Sequence, residues 1–120
     1  MKKKILLVED DQTLSQLLLM ELEEAGFDPV HAEDGAQALE ILSQQSIDGI
    51  LSDLYMPNID GLQLVDALAA KSMEIMTIIM SGSSNAEITL KLKQKGVEHI
   101  FIKPLHDEQL SNIFTLLASG

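Results

Sequence analysis

The sequence predicts an α/β fold, a doubly wound five-stranded parallel sheet with helices on both faces, and three observations carry that expectation. Five short apolar runs alternate with five amphipathic stretches along the 120 residues, and such alternation demands right-handed crossovers. Several runs are apolar on both faces, as Ile75-Met76-Thr77-Ile78-Ile79-Met80 is, which suits a strand covered from both sides. The length fits one domain, and 46% hydrophobic with 22% charged residues supplies a core.

The elements follow in order. The first apolar run covers residues 4–8. Leu14, Leu17, Leu18 and Leu22 then form one helical stripe, with Asp11 as its cap and Gly26 at its end. The second run, 28–32, is the weakest and carries Pro29. A sheet tolerates proline at an edge, where one row of backbone donors goes unpaired. Ala38, Leu39 and Leu42 mark the second helix, and the third run covers 48–53. Leu64, Val65 and Leu68 mark the third helix, which Asp60 is placed to cap. After the run 75–81, Ile88 and Leu92 mark a fourth helix stopped by Gly96. After the run 98–102, Leu110, Ile113, Phe114 and Leu117 mark the fifth, capped by His106 or Asp107.

Composition excludes several function classes. There is no cysteine, hence no disulfide, thiolate catalysis or cysteine-ligated metal. Acidic residues outnumber basic ones 19 to 8 for a net charge of −11, and every basic residue is a lysine. That argues against nucleic-acid binding, which needs clustered positive charge. Aromatics at 3% offer few platforms for bases or flavins. Met1-Lys2-Lys3-Lys4 before Ile5-Leu6-Leu7-Val8 has too short an apolar run for a secretory signal. No stretch approaches the ~20 apolar residues of a membrane span, so the expected setting is soluble and cytoplasmic.

In doubly wound sheets ligands bind at the carboxyl ends of the strands. Glu9 and Asp10 follow the first strand, Asp53 ends the third, Ser81 the fourth, and Lys103 follows the fifth. Three carboxylates, a hydroxyl and an ammonium thus converge on one edge. Singly, each has a plain explanation as a helix cap, a turn residue or a solvated lysine. Together they form a chemically coherent set. Clustered carboxylates call for a hard divalent cation, and oxygen ligands suit magnesium. A cation held by Asp10 and Asp53 would screen the attack of a carboxylate on a phosphoryl group. Lys103 and Ser81 could each serve a transferred oxygen, and a carboxylate nucleophile forms an acyl phosphate.

These residues bring a family into view. Leu7-Val8-Glu9-Asp10-Asp11, Asp53-Leu54-Tyr55-Met56-Pro57 with Asp60-Gly61, Met80-Ser81-Gly82 and Lys103-Pro104 resemble, in order and spacing, the receiver domain of bacterial two-component response regulators. The resemblance, closest in kind to single-domain chemotaxis regulators, covers the chain as one domain, residues 1–120. It implies a flavodoxin-like (βα)5 fold with strand order 2-1-3-4-5. It implies Asp53 as the phosphoacceptor, supplied by a sensor histidine kinase or phosphotransfer protein. It implies magnesium on Asp10, Asp53 and the backbone carbonyl of Tyr55, with Glu9 helping directly or through water. Ser81 and Lys103 take the phosphate-sensing roles. The implied function is a signalling switch that catalyses its own phosphorylation and dephosphorylation, with no membrane or nucleic-acid contact through this domain and a downstream effector that the residues do not name.

Other positions complete the expectation. The Met56-Pro57 turn shapes the loop beside the nucleophile, and Gly61 lets the third helix start close to it. Tyr55 is placed to shield an acyl phosphate from water. Met20, Met73, Met76 and Met80 are expected as core filler, and His31, His99 and His106 as ordinary scattered residues. One departure stands out. Receivers commonly carry Phe or Tyr three residues before the lysine, where this chain has Ile100. Phe101 cannot substitute, because strand neighbours face opposite sides. The switch is therefore expected to move the segment Gly82-Ser83-Ser84-Asn85 rather than Ile100. Two other functions compete. A magnesium-dependent aspartyl-phosphate phosphatase would need an aspartate where Tyr55 stands, and a flavin carrier would need a glycine-rich phosphate loop after the first strand.

Overall fold

The computed structural model describes residues 2–56, 59–82 and 85–119. Within them strands and helices alternate as β1 (Lys4–Val8), α1 (Gln12–Glu24), β2 (Asp28–Ala32), α2 (Gly35–Gln44), β3 (Gly49–Asp53), α3 (Gly61–Ala70), β4 (Met76–Ser81), α4 (Ala86–Gln94), β5 (His99–Ile102) and α5 (Asp107–Ser119). All pairings are parallel, and the strand order is β2-β1-β3-β4-β5. The expected class and order hold, and Pro29 does lie on an edge strand. Strands β3, β4 and β5 each begin one residue later than the apolar runs suggest. At β3 the reason is visible: the Asp48 carboxylate accepts from the Lys4 N–H at 2.8 Å, so Asp48 fastens the start of β1.

Strand alternation sorts the core into two layers. Ile5, Leu7, Leu51, Ile78 and Met80 face α1 and α5, where Leu18, Leu22, Ile113 and Leu117 meet them. On the other face Leu6, Val8 and Ile50 meet Ala38, Leu42, Leu64 and Leu68 of α2 and α3. Ile79 packs there too, with Val65, Leu92 and Val97. With both faces covered, β1 and β3 lie almost wholly out of water.

Two expectations about α1 need correction. Leu17 is 45% exposed and Met20 50% exposed, so neither is core. At 100° per residue Leu18 and Leu22 share a face with Ser15, and Leu17 and Met20 point the other way. Ser15 takes the buried place because its hydroxyl donates to the Gln12 carbonyl at 3.0 Å, which satisfies its one polar atom. The remaining methionines fit as expected: Met80 is buried, and Met73 and Met76 pack against the core clusters.

The helix ends explain why the strand-to-helix turns are sharp. Asp11 caps α1 by accepting from Leu14 N–H, and Asp34 caps α2 through Gln37 N–H. Asp60 and Gln63 form a reciprocal capping box on α3. Asn85 accepts from Glu87 and Ile88 at the start of α4. Helix α5 begins at Asp107, and His106 occupies the preceding position with its N–H donating to Gln109 Oε1. Gly26 and Gly96 follow α1 and α4 with φ of +95° and +96°, the left-handed turn that lets each helix stop.

Candidate acidic site at the carboxyl ends of the strands

The parallel register sets Val8 beside Ser52, Asp53 beside Met80, and Ser81 beside Ile102. Residues just past these pairs therefore share one edge of the sheet. Glu9, Asp10 and Asp53 each bring a carboxylate oxygen within 4.8 Å of the others. Lys103 completes the group, its Nζ lying 2.8 Å from Glu9 Oε1 and 3.2 Å from Asp53 Oδ2. Ser81 is buried at the end of β4, and its carbonyl accepts from the Lys103 N–H at 2.7 Å. The five residues picked from the sequence thus occupy one edge.

Their surroundings differ. Glu9 is 1% exposed and Asp53 8%, whereas Asp10 faces solvent. Both Glu9 oxygens are engaged: Oε1 with Lys103, and Oε2 with the Asp11 N–H at 3.1 Å. Among the described residues, the Asp10 carboxylate accepts no hydrogen bond. Burial pushes the Glu9 carboxyl above the ordinary range, and the Asp53 charge adds to this, while the Lys103 and Asp11 hydrogen bonds partly offset it. For Lys103 burial acts to lower the value, but the hydrogen bonds and charges of Glu9 and Asp53 together outweigh it. The ammonium is held above the ordinary lysine value.

All the donors here are hard oxygens: Glu9 and Asp53 each give one oxygen to the Lys103 ammonium, and Asp10 gives none. That set fits a magnesium ion, which accepts one or two carboxylates and retains waters. Asp10 and the free oxygen of Asp53 are the residues able to bind directly. Glu9, saturated by Lys103 and Asp11, fits the water-mediated role.

The chain around the site is tightly fixed. Leu54 N–H donates to the Met80 carbonyl at 2.8 Å, and Gly61 N–H donates to the Leu54 carbonyl at 2.7 Å. A Cβ on Gly61 would stand 3.0 Å from Leu54 Cα and 3.2 Å from the Asp53 carbonyl oxygen. The glycine thus lets α3 start against the end of β3, as expected. Met56 packs into the core layer under α2 and α3. The Tyr55 side chain between these anchors is half exposed. The Pro57 part of the expected turn lies outside the described residues, as do Ser83 and Ser84 of the segment before α4.

Two supporting residues were not singled out by the sequence. Ser52 is fully buried and donates to the Asp53 carbonyl at 2.8 Å. Its signal was a lone hydroxyl at the end of an apolar run. His31 Nε2 lies 2.8 Å from the Glu9 carbonyl oxygen, bridging β2 to the site. That contact depends on the β1–β2 register, which no local pattern reveals. Ile100 packs with Ile79 and Ile88 on the α4 side, while Phe101 joins the opposite layer. The two neighbours face opposite sides as strand geometry requires, and the place three before Lys103 holds an aliphatic group.

Comparison with known proteins agrees with this arrangement. The response regulator receiver domain profile matches residues 5–115. The two-component response regulator ORR21 of rice is 34% identical over 92% of the chain, and the Regulator of RpoS of Escherichia coli is 32% identical over 88%. The chain spans only 16% and 31% of those two proteins. Among solved structures, the receiver domain of a Syntrophus aciditrophicus signal transduction histidine kinase is 31% identical with a TM-score of 0.87, covering 98% of this chain and 91% of that one. The Francisella response regulator 1452 receiver domain is 28% identical with a TM-score of 0.88, covering 98% of both. A matching profile over nearly the whole chain, together with the same strand order and an acid-and-lysine edge, means that this chain belongs to the response regulator receiver domains of two-component signalling systems.

Proposed function

We propose that Asp53 accepts a phosphoryl group from a sensor histidine kinase or a histidine phosphotransfer protein, and that the acyl phosphate switches the domain. The observation that carries this reading is the Lys103 ammonium held between Glu9 and Asp53 beside the exposed Asp10. In the transfer an Asp53 carboxylate oxygen bonds to phosphorus as the donor's N–P bond breaks, and the released imidazole takes up a proton. Asp10, Asp53 and the Tyr55 carbonyl would hold magnesium, which would supply the charge neutralisation needed for two anions to approach. Lys103, kept protonated by its carboxylates, is positioned to pair with an oxygen of the phosphoryl group. Glu9 holds Lys103 in place. Ser81, at the end of the neighbouring strand, would turn its hydroxyl toward another phosphoryl oxygen, and that shift would carry the signal toward α4.

The aliphatic Ile100, already packed against Ile79 and Ile88, gives this domain no ring to swing. The moving part on this reading is the segment after Ser81. The phosphatase alternative lacks its acid–base group, since Tyr55 stands where a second aspartate is required. The domain works on its own carboxylate and not on a separate metabolite. A cytoplasmic setting follows from that partner class, and no helix among the described residues is long and apolar enough to cross a membrane.

Incubation with acetyl phosphate tests the reading. Intact-protein mass spectrometry is expected to show one added phosphoryl group with magnesium, and none in Asp53→Ala or in chelator. Equal labelling of Asp53→Ala, or of the wild type in chelator, would remove Asp53 or magnesium from the mechanism.

A further inference from the structure

We infer that Gly35 is a positioning residue for the magnesium site, acting by seating the β3–α3 connection on the first turn of α2. The inference rests on the magnesium reading above. Gly35 opens α2 immediately after its cap Asp34. A Cβ built on it would come within 2.7 Å of Ile59 Cβ and 2.8 Å of Ile59 Cγ2, and closer still to the Ile59 carbonyl oxygen. One of these atoms is backbone, so a rotamer change cannot relieve the collision. The connection itself must move away.

That connection begins at the site. Leu54 is tied to Met80 and Gly61, Met56 packs half-buried against the α2–α3 core layer, and Ile59 rests on Gly35. Tyr55, whose carbonyl is the proposed third protein ligand, lies between the first two anchors. The Leu54 and Met56 anchors hold the near part of the segment, and the Gly35 seat holds its far part just before the α3 capping box. Lifting Ile59 off α2 would draw on half-buried Met56, and through it on the neighbouring Tyr55 carbonyl, without touching a carboxylate. Gly35 needs no unusual backbone angle, because among the described residues positive φ occurs only at Gly26, Ser72 and Gly96. Close approach is therefore what the glycine provides.

This gives a test in which two explanations have opposite signs. Alanine is a better helix former than glycine. If Ile59 did not press on Gly35, Gly35→Ala would raise the Tm and leave magnesium binding untouched. With the contact in place, magnesium binding should weaken about tenfold, the scale of losses for residues that orient a ligand. Calorimetric titration with magnesium chloride reads this directly, and the emission of Tyr55, the one tyrosine in a chain without tryptophan, reads it at the site. Leu117→Ala, which opens the opposite core layer under α1 and α5, is the control for general destabilisation and should bind magnesium as the wild type does. Ile59→Ala approaches from the loop side, introduces no clash, and should weaken binding in the same direction by less. Wild-type affinity in a folded Gly35→Ala overturns the inference. If that variant does not fold, Ile59→Ala decides in the same way. A wild type that takes up no magnesium would instead overturn the magnesium reading on which the inference stands.

Discussion

Lys103→Met is expected to slow phosphoryl transfer from acetyl phosphate by about a hundredfold, the scale seen when one charged stabiliser is removed from a transferring group. It should also destabilise the protein in a pH-dependent way. In the wild type the ammonium faces Glu9 at 2.8 Å and Asp53 at 3.2 Å. Methionine keeps most of the apolar stem but leaves the buried Glu9 carboxylate without its counter-charge. Breaking a buried pair from one side costs about 3–5 kcal/mol. Lys103 retains 21% side-chain exposure, so about 2 kcal/mol is expected at neutral pH. The sign with pH follows from Glu9. Its folded-state carboxyl already lies above the ordinary range through burial, and loss of Lys103 removes a lowering contribution. A carboxyl raised on folding favours the folded state below its unfolded value, about 4.3, and that advantage disappears as pH rises through the folded value. The penalty of the substitution should therefore be small near pH 4 and full near pH 7. Urea unfolding of both proteins at the two pH values checks this. An equal penalty at both would assign the loss to packing alone.

Asp10→Asn is expected to act on stability in the opposite direction. Asp10 adds a third negative charge beside Glu9 and Asp53, and the single ammonium of Lys103 is already spent on the other two. Neutralising it relieves repulsion and should stabilise the metal-free protein by about 1 kcal/mol, seen as a Tm about 4 °C higher. Magnesium should reverse the ranking. At ten times its dissociation constant the ion adds about 1.4 kcal/mol to a protein that binds it only when folded. That increment belongs to the wild type and should largely vanish in Asp10→Asn. Thermal melts with and without magnesium provide the four values needed. A variant that gains as much from magnesium as the wild type would place the ion elsewhere.

What the sequence reveals of this domain depends on how far each feature reaches along the chain. The strands are legible because two-sided burial makes them locally apolar, and the candidate site is legible because each of its proposed residues falls where an apolar run stops. Asp53 after Ile50-Leu51-Ser52 and Lys103 after Ile100-Phe101-Ile102 need only the topology to meet. Leu17 and Met20 mislead, because apolar residues on an outer helix face look like those on the inner one. Ser15 is missed because a small hydroxyl can satisfy itself within its own helix turn. His31 on the Glu9 carbonyl and Ile59 on Gly35 are contacts between distant segments. They follow from strand register and helix packing rather than from any pattern near either residue.

The central claim is that the carboxylate of Asp53 carries the phosphoryl group. Borohydride reduces an acyl phosphate to an alcohol with loss of phosphate, converting the phosphorylated aspartate into homoserine and leaving free carboxylates unchanged. Peptide mass spectrometry after phosphorylation in magnesium and reduction is expected to find homoserine at position 53. Homoserine at position 10 or 60 with an unaltered Asp53, or phosphorylated protein that yields no homoserine, would contradict it.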